Sequence, residues 1–138
     1  QNRYKLMAVL WTFRCYVSPR GVDEIRAWYD GQSAAVRAKF DSRLKFLAQR
    51  ERAEWKREPF DSLHGECEGL GEIRFKADKV QHRPLGFFSG EKIFTLVFCA
   101  EERGNKFVPK KACEIALRRK AEVLNSQERW HVCTFDLE

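Results

Sequence analysis

Residues 70–100 have the sequence LGEIRFKADKVQHRPLGFFSGEKIFTLVFCA, which predicts three short strands joined by two tight turns. The turns fall at residues 77–79 and 89–91, and each is short enough for a hairpin loop only. In the first strand Glu72, Arg74 and Lys76 alternate with apolar residues, which predicts one charged face and one buried face. The third strand, residues 93–99, is apolar at both parities. This pattern is typical of a strand that is covered on both faces.

Arg83 lies among apolar residues of the middle strand, where an unpaired charge is costly. It therefore needs either an internal carboxylate, with Glu72 or Asp78 as candidates, or an external anion such as a phosphate. His82 alternates away from Arg83 on a regular strand. Both side chains can face one pocket only if Pro84 introduces a bulge.

The flanking sequence predicts one more strand and three helices. Residues 8–17 alternate in polarity and predict a first strand. Residues 23–30 predict a short helix, and Ser33 can cap a longer helix that reaches about residue 55. Pro109 opens a basic helix to about residue 124, and residues 128–137 alternate again as an extra strand would.

The second helix has a strongly basic face opposite its apolar stripe. A solvated surface and a contact with nucleic acid or the ribosome are both open for this face. Its cations are Arg37, Lys39, Arg43, Lys45, Arg50 and Arg52.

The composition fits one globular domain over residues 1–138, with a hydrophobic content of 43%. Met7 is a candidate natural start, which leaves residues 1–6 as an upstream remnant, and residues 126–138 form a C-terminal extension. No apolar run approaches the ~20 residues that span a bilayer, so we expect no membrane contact. The net charge of +6 favours polyanionic partners.

The five cysteines are odd in number and scattered, without a Cys-x-x-Cys pair. This usage predicts reduced thiols in a cytoplasmic protein. His64 and Cys67 have a His-x-x-Cys spacing, but no second pair completes a zinc site. We therefore expect no metal and no cofactor.

The order strand, two helices, three strands and helix, with GEIRFKAD at 71–78 and HRPLGFF at 82–88, resembles the RelE/ParE toxin superfamily. Over roughly residues 8–123 the chain is similar to its HigB-like branch, the phage-derived Gp49-like proteins. The resemblance implies an α+β fold made of a strand, a two-helix hairpin, a three-stranded antiparallel meander and a C-terminal helix. The tail would add one strand.

The resemblance also implies the toxin of a type II toxin–antitoxin pair, an mRNA interferase. Such a toxin is a metal-independent endoribonuclease that cuts mRNA, commonly on the ribosome. It implies an antitoxin partner, often a helix-turn-helix protein, and leaves homodimerisation open. Two alternatives on the same fold remain: a ParE-like gyrase inhibitor, and an inactive phage-derived nucleic-acid-binding module.

Metal-independent RNA cleavage needs a proton acceptor, a proton donor and cations around the phosphate. The resemblance matches Arg83 to the family's middle-strand arginine. Arg83 and Arg74 suit the cationic role because a guanidinium binds phosphate oxygens bidentately. Glu72 or Lys76 is the candidate acceptor, and His82 is a candidate donor.

His64 is the alternative proton donor. The resemblance also matches the polar turn after the third strand to a turn that is commonly basic in relatives, although Glu101 and Glu102 stand there in this chain. Four cations in and after this turn are the candidate RNA-binding residues: Arg103, Lys106, Lys110 and Lys111.

Overall fold

The computed structural model describes residues 8–135 and residue 137, and within them the chain is a mixed α+β protein. Three α-helices are present: α1 (Glu24–Asp30), α2 (Ala34–Ala48) and α3 (Ala112–Asn125). The strands are β1 (Thr12–Tyr16), β2 (Phe60–Ser62), β3 (Gly71–Ile73), β4 (Phe75–Ala77), β5 (Val80–Gly90), β6 (Ile93–Arg103), β7 (Lys106–Val108) and β8 (Trp130–Val132). The candidate start at Met7 and the remnant at residues 1–6 lie outside the described residues.

All eight strands belong to one sheet, in the order β2-β3-β5-β6-β1-β8. In addition, β4 pairs with β5, and β7 pairs with β6. The pair β1–β6 is parallel and the other pairs are antiparallel. The two longest strands, β5 and β6, form the central hairpin on which the sheet is built.

The fold predicted from the family resemblance, with a three-stranded meander as its sheet, is therefore wrong. The sheet is larger because four strands that the prediction left out or merged are only three residues long, too short to give a periodic signal. The strand that contains Glu72, Arg74 and Lys76 was predicted as one element, but it is divided at Arg74. Its backbone N–H leaves the ladder and donates to the carbonyl of Pro59 at 2.9 Å, which separates β3 from β4.

Polar caps fix the starts of α1 and α2. The Asp23 carboxylate accepts from the N–H of Arg26 at 2.8 Å, and the Ser33 hydroxyl accepts from the N–H of Val36 at 3.2 Å. Helix α2 ends at Ala48 rather than near residue 55. Trp55 instead folds back into the core at 3% exposure, and its indole N–H donates to the carbonyl of Leu47 at 3.0 Å.

The sheet separates two apolar clusters. One cluster packs α1 and α2 against one face of the sheet, through side chains such as Phe13, Phe94 and Leu96. The other cluster packs α3 against the opposite face of the sheet, through side chains that include Leu85 and Val97. Since β6 contributes to both clusters, it is covered on both faces. None of the helices in the described residues is long and apolar enough to cross a bilayer.

The prediction of reduced thiols is contradicted, because four of the five cysteines form disulfides. Cys15 in β1 is bonded to Cys133 after β8, and Cys67 is bonded to Cys113 in α3. Both pairs are far apart in sequence but have Cα–Cα distances of 5.2 and 5.3 Å. Cys99 is free, and its burial raises the pKa of the thiol.

Candidate functional site

A basic hollow of about 290 Å³ lies between α2, β4 and β5. Five cationic side chains and one carboxylate border it. We call it the cationic hollow, and its lining residues are Lys39, Arg43, Glu58, Arg74, Phe75, Lys76, Gln81 and Arg83. A cavity with this excess of positive charge is suited to a ligand that carries several negative charges.

Arg83 is 3% exposed and is held by carboxylates. Its Nε donates to the Glu102 carboxylate at 2.8 Å and lies 3.9 Å from Glu72 Oε1. Its Nη atoms donate to the carbonyl of His82 at 2.9 Å and to the Gln81 side chain at 3.3 Å. The choice between an internal carboxylate and an external anion is thus resolved in favour of internal pairing. The main partner is Glu102, which was not among the two candidates.

Glu72 and Arg74 form an ion pair beside Arg83. Glu72 is 3% exposed, and this burial raises the pKa of its carboxyl group above 4.5, while Arg74 and Arg83 act in the opposite direction. Arg74 Nε is buried and has no hydrogen-bond partner among the described residues. Arg74 therefore links a buried carboxylate to the hollow and keeps part of its hydrogen-bonding capacity unused.

His82 is not part of this site. Its ring packs on the α1–α2 side of the sheet, stacked on Phe75 with 5.1 Å between centroids and edge-on to Trp28 at 6.2 Å. Burial lowers the pKa of the His82 imidazole, and neither ring nitrogen has a partner within the described part of the chain. The two bulges in the β5–β6 pairing occur at Leu85/Gly86 and Phe88/Gly90, beyond Pro84, so they do not turn His82 toward Arg83. His64 lines a different hollow.

The four predicted RNA-binding cations also lie outside the cationic hollow. Arg103 and Lys106 are paired across the β6–β7 hairpin, and Arg103 is bound to Glu101 at 3.0 Å. Lys110 and Lys111 border another hollow of about 550 Å³, together with two glutamates. The predicted acidic turn is in fact the end of β6. There Glu102 neutralises Arg83.

Four of the five predicted catalytic residues are nevertheless brought together: Glu72, Arg74, Lys76 and Arg83. Lys39 and Arg43 join them from α2. Their i, i+4 spacing places them on one helix face. The sequence therefore predicts that they lie side by side, but it does not predict that they approach β4 and β5. Burial lowers the pKa of Arg43, and the nearby Glu58 opposes this shift.

The geometry defines a mixed α+β protein with a basic hollow at one side of its sheet. A scan against protein-family models and searches of curated proteins and of solved structures find no match to this chain. Across the described residues no group of three or more His, Cys, Asp or Glu side chains is arranged to hold a metal ion.

Proposed function

We propose that this chain is an endoribonuclease toxin of a type II toxin–antitoxin pair, of the RelE and HigB kind, and that it cleaves mRNA at the cationic hollow. The observation that carries the proposal is the grouping of five cationic side chains at one opening, beside the buried carboxylate of Glu72. The phosphates of RNA supply the negative charge that such an opening attracts.

In the proposed reaction the 2′-oxygen of a ribose attacks the adjacent phosphorus and the bond to the 5′-oxygen breaks, which leaves a 2′,3′-cyclic phosphate. Glu72 accepts the proton of the 2′-hydroxyl, and Lys76 donates a proton to the leaving 5′-oxygen. Arg74 stabilises the negative charge that develops on the phosphoryl oxygens, with Lys39 and Arg43 at the same opening.

Arg83 holds Glu72 and Glu102 in place. His82 has no role, because it is buried against Phe75 and Trp28 and does not border the hollow.

The proposal includes the ribosome as the place of cleavage and a helix-turn-helix antitoxin as the inhibitor. The basic face of α2 supports a ribosome contact, since two of its cations already border the hollow. Activity on mRNA places the protein in the cytoplasm. Thiols are kept reduced there, whereas the structure has two disulfides, so the state of the cysteines in cells tests this location.

A second candidate is a nucleic-acid-binding module that does not cleave. The pairing of Arg83 favours it, because Glu102 and Glu72 already neutralise the guanidinium that was expected to stabilise the transition state. The remaining cations of the hollow would still attract a polyanion. The two candidates differ in whether bound RNA is cut.

Replacing Arg74 with glutamine is expected to lower the rate of RNA cleavage by about 100-fold or more, because a charged donor to the phosphoryl oxygens is lost. Cleavage of a labelled mRNA is measured with purified protein and with translating ribosomes, and 5′ ends are mapped by primer extension. The melting temperature of the variant is recorded to show that it is folded.

The matched control is Arg118→Gln, since the Arg118 side chain is 61% exposed on α3 and does not border the hollow. Cleavage that is unchanged in Arg74→Gln would show that the hollow is not the active site. RNA binding without cleavage by the wild type would support the binding module instead. DNA breaks without mRNA cleavage would contradict both and indicate a gyrase inhibitor.

The proposed role of Glu72 as the proton acceptor predicts how the rate of cleavage depends on pH. A base must be deprotonated, so the rate should fall as the pH drops through the pKa of Glu72, which burial raises above 4.5. The acidic limb of the pH–rate profile should therefore lie above pH 4.5 and disappear in Glu72→Gln, with a lower rate at all pH values. A limb that persists in this variant would assign the base to another group.

A further inference from the structure

A second hollow of about 620 Å³ adjoins the cationic hollow. Lys39 and Lys76 border both, so the two hollows form one trough between α2 and the β4–β5 hairpin. We call the second one the adjoining hollow. It is lined by Ala35, Ala38, Lys39, Ser42, Lys76, Ala77, Asp78 and Lys79.

The adjoining hollow has unneutralised positive charge. In the described residues Lys39, Lys76 and Lys79 make no ion pair and no side-chain hydrogen bond. Its single carboxylate, Asp78, accepts a hydrogen bond from the Ser33 hydroxyl at 2.5 Å and is thereby held at the start of α2. Three ammonium groups are therefore available to an anion.

Lys79 has a strained backbone. The two turn residues between β4 and β5, Asp78 and Lys79, have φ values of 51° and 64°. Such a turn favours Gly or Asn at these positions, and a residue with a long side chain is costly in the left-handed region. The chain thus places a lysine beside the trough at a position where glycine would be more stable.

The α2 wall of the adjoining hollow consists of small side chains. Ala35, Ala38 and Ser42 follow a spacing of three and four residues and lie on one helix face. These small side chains leave the hollow open beside the lysines. Lysine ammonium groups bind phosphate as point charges, so they recognise a backbone without regard to its sequence.

We infer that the adjoining hollow is a second phosphate subsite, which binds the next phosphate of the single RNA strand whose scissile phosphate lies in the cationic hollow. This inference rests on the proposed function. Lys79 and Lys39 hold the second phosphate, and Lys76 lies between the two subsites. The trough is confined by α2 on one side and the hairpin on the other, which suits a flexible single strand rather than a duplex.

Fluorescence anisotropy with two RNA probes tests the subsite. The dinucleoside monophosphate ApA has one phosphate, and a hexa-adenylate has enough phosphates for both subsites. Lys79→Ala should weaken binding of the hexamer about 5-fold and reduce the slope of log K against log salt by about 0.7, while binding of ApA stays unchanged.

Two variants complete the experiment. Lys56→Ala removes an exposed lysine that lies outside α2 and borders neither hollow, and it should bind both probes as the wild type does. Lys79→Gly should lose the same affinity as Lys79→Ala but melt about 3 °C higher than the wild type, because glycine relieves the strain. If the wild type binds the hexamer and Lys79→Ala binds it equally well, the subsite is wrong and the proposed function stands. If the wild type binds neither RNA, the proposed function fails and the subsite fails with it.

Discussion

Replacing Cys133 with alanine is expected to lower the free energy of unfolding by about 5 kcal/mol under oxidising conditions. The Cys15–Cys133 disulfide joins residues 118 positions apart. A cross-link over so long a loop removes much of the entropy of the unfolded chain. A loss of this size is comparable to the whole stability of many domains. Denaturant unfolding followed by circular dichroism, with and without reductant, measures it.

The disulfide also holds the tail against the helices. Beyond Cys133, the Phe135 ring lies 4.8 Å from Tyr29 and 5.0 Å from Phe40, measured between centroids. Cys133 is the better position to replace, because Cys15 is fully buried and a change there would disturb the core as well.

The control for this prediction is the second disulfide. Cys67 and Cys113 are 46 residues apart, so losing their bond should cost about 4 kcal/mol. Reductant should destabilise the wild type by the sum of both effects and should destabilise Cys133→Ala only by the smaller one. Unfolding curves of the wild type that are insensitive to reductant would contradict the prediction.

The same bonds test the proposed location. A toxin that acts on mRNA works in the cytoplasm, where these cysteines should be reduced. Cells are quenched in acid, the protein is denatured and alkylated, and mass spectrometry counts the free cysteines. Five alkylated cysteines would support the cytoplasmic proposal. Two intact disulfides in the native host would place the protein in an oxidising compartment and contradict cleavage of mRNA.

Strong local signals predicted the parts of the fold that carry most of the packing. The β5–β6 hairpin follows from two long β-forming segments around a short turn, and the starts of α1 and α2 follow from Asp23 and Ser33. The short strands β2, β3, β4 and β7 could not be predicted in this way, because three residues hold no periodicity, whereas β8 lies in the longer alternating segment at residues 128–137. These strands form only because a neighbouring strand, such as β5 for β3 and β4, offers backbone hydrogen bonds along its edge.

The cysteine pairs depend on tertiary structure alone. Nothing in the spacing of Cys15 and Cys133 indicates a bond, because β1 and β8 become neighbours only when the sheet is complete. The partner of Arg83 depends on register. Gln81 lies opposite Glu102 and Arg83 opposite Ala100, so Glu102 is the diagonal neighbour of Arg83. The bulges at Leu85/Gly86 and Phe88/Gly90 shift this register, and the sequence alone does not show them.

Replacing Arg83 with alanine is expected to lower the free energy of unfolding by about 3–5 kcal/mol, because it leaves carboxylates without their cation in a buried position. Glu102 loses its partner at 2.8 Å, and the 3%-exposed Glu72 keeps only Arg74. Chemical denaturation at neutral pH measures the change.

The matched control is Arg103→Ala, which removes an exposed arginine paired with Glu101 at 3.0 Å, and it should alter stability by no more than about 0.5 kcal/mol. The double variant Arg83→Met with Glu102→Leu should recover most of the loss, since two apolar side chains can replace a buried ion pair at little cost. A loss below about 1 kcal/mol in Arg83→Ala would mean that the guanidinium is free rather than held. In that event Arg83 would be available to a phosphate, and the argument for a non-cleaving binding module would lose its support.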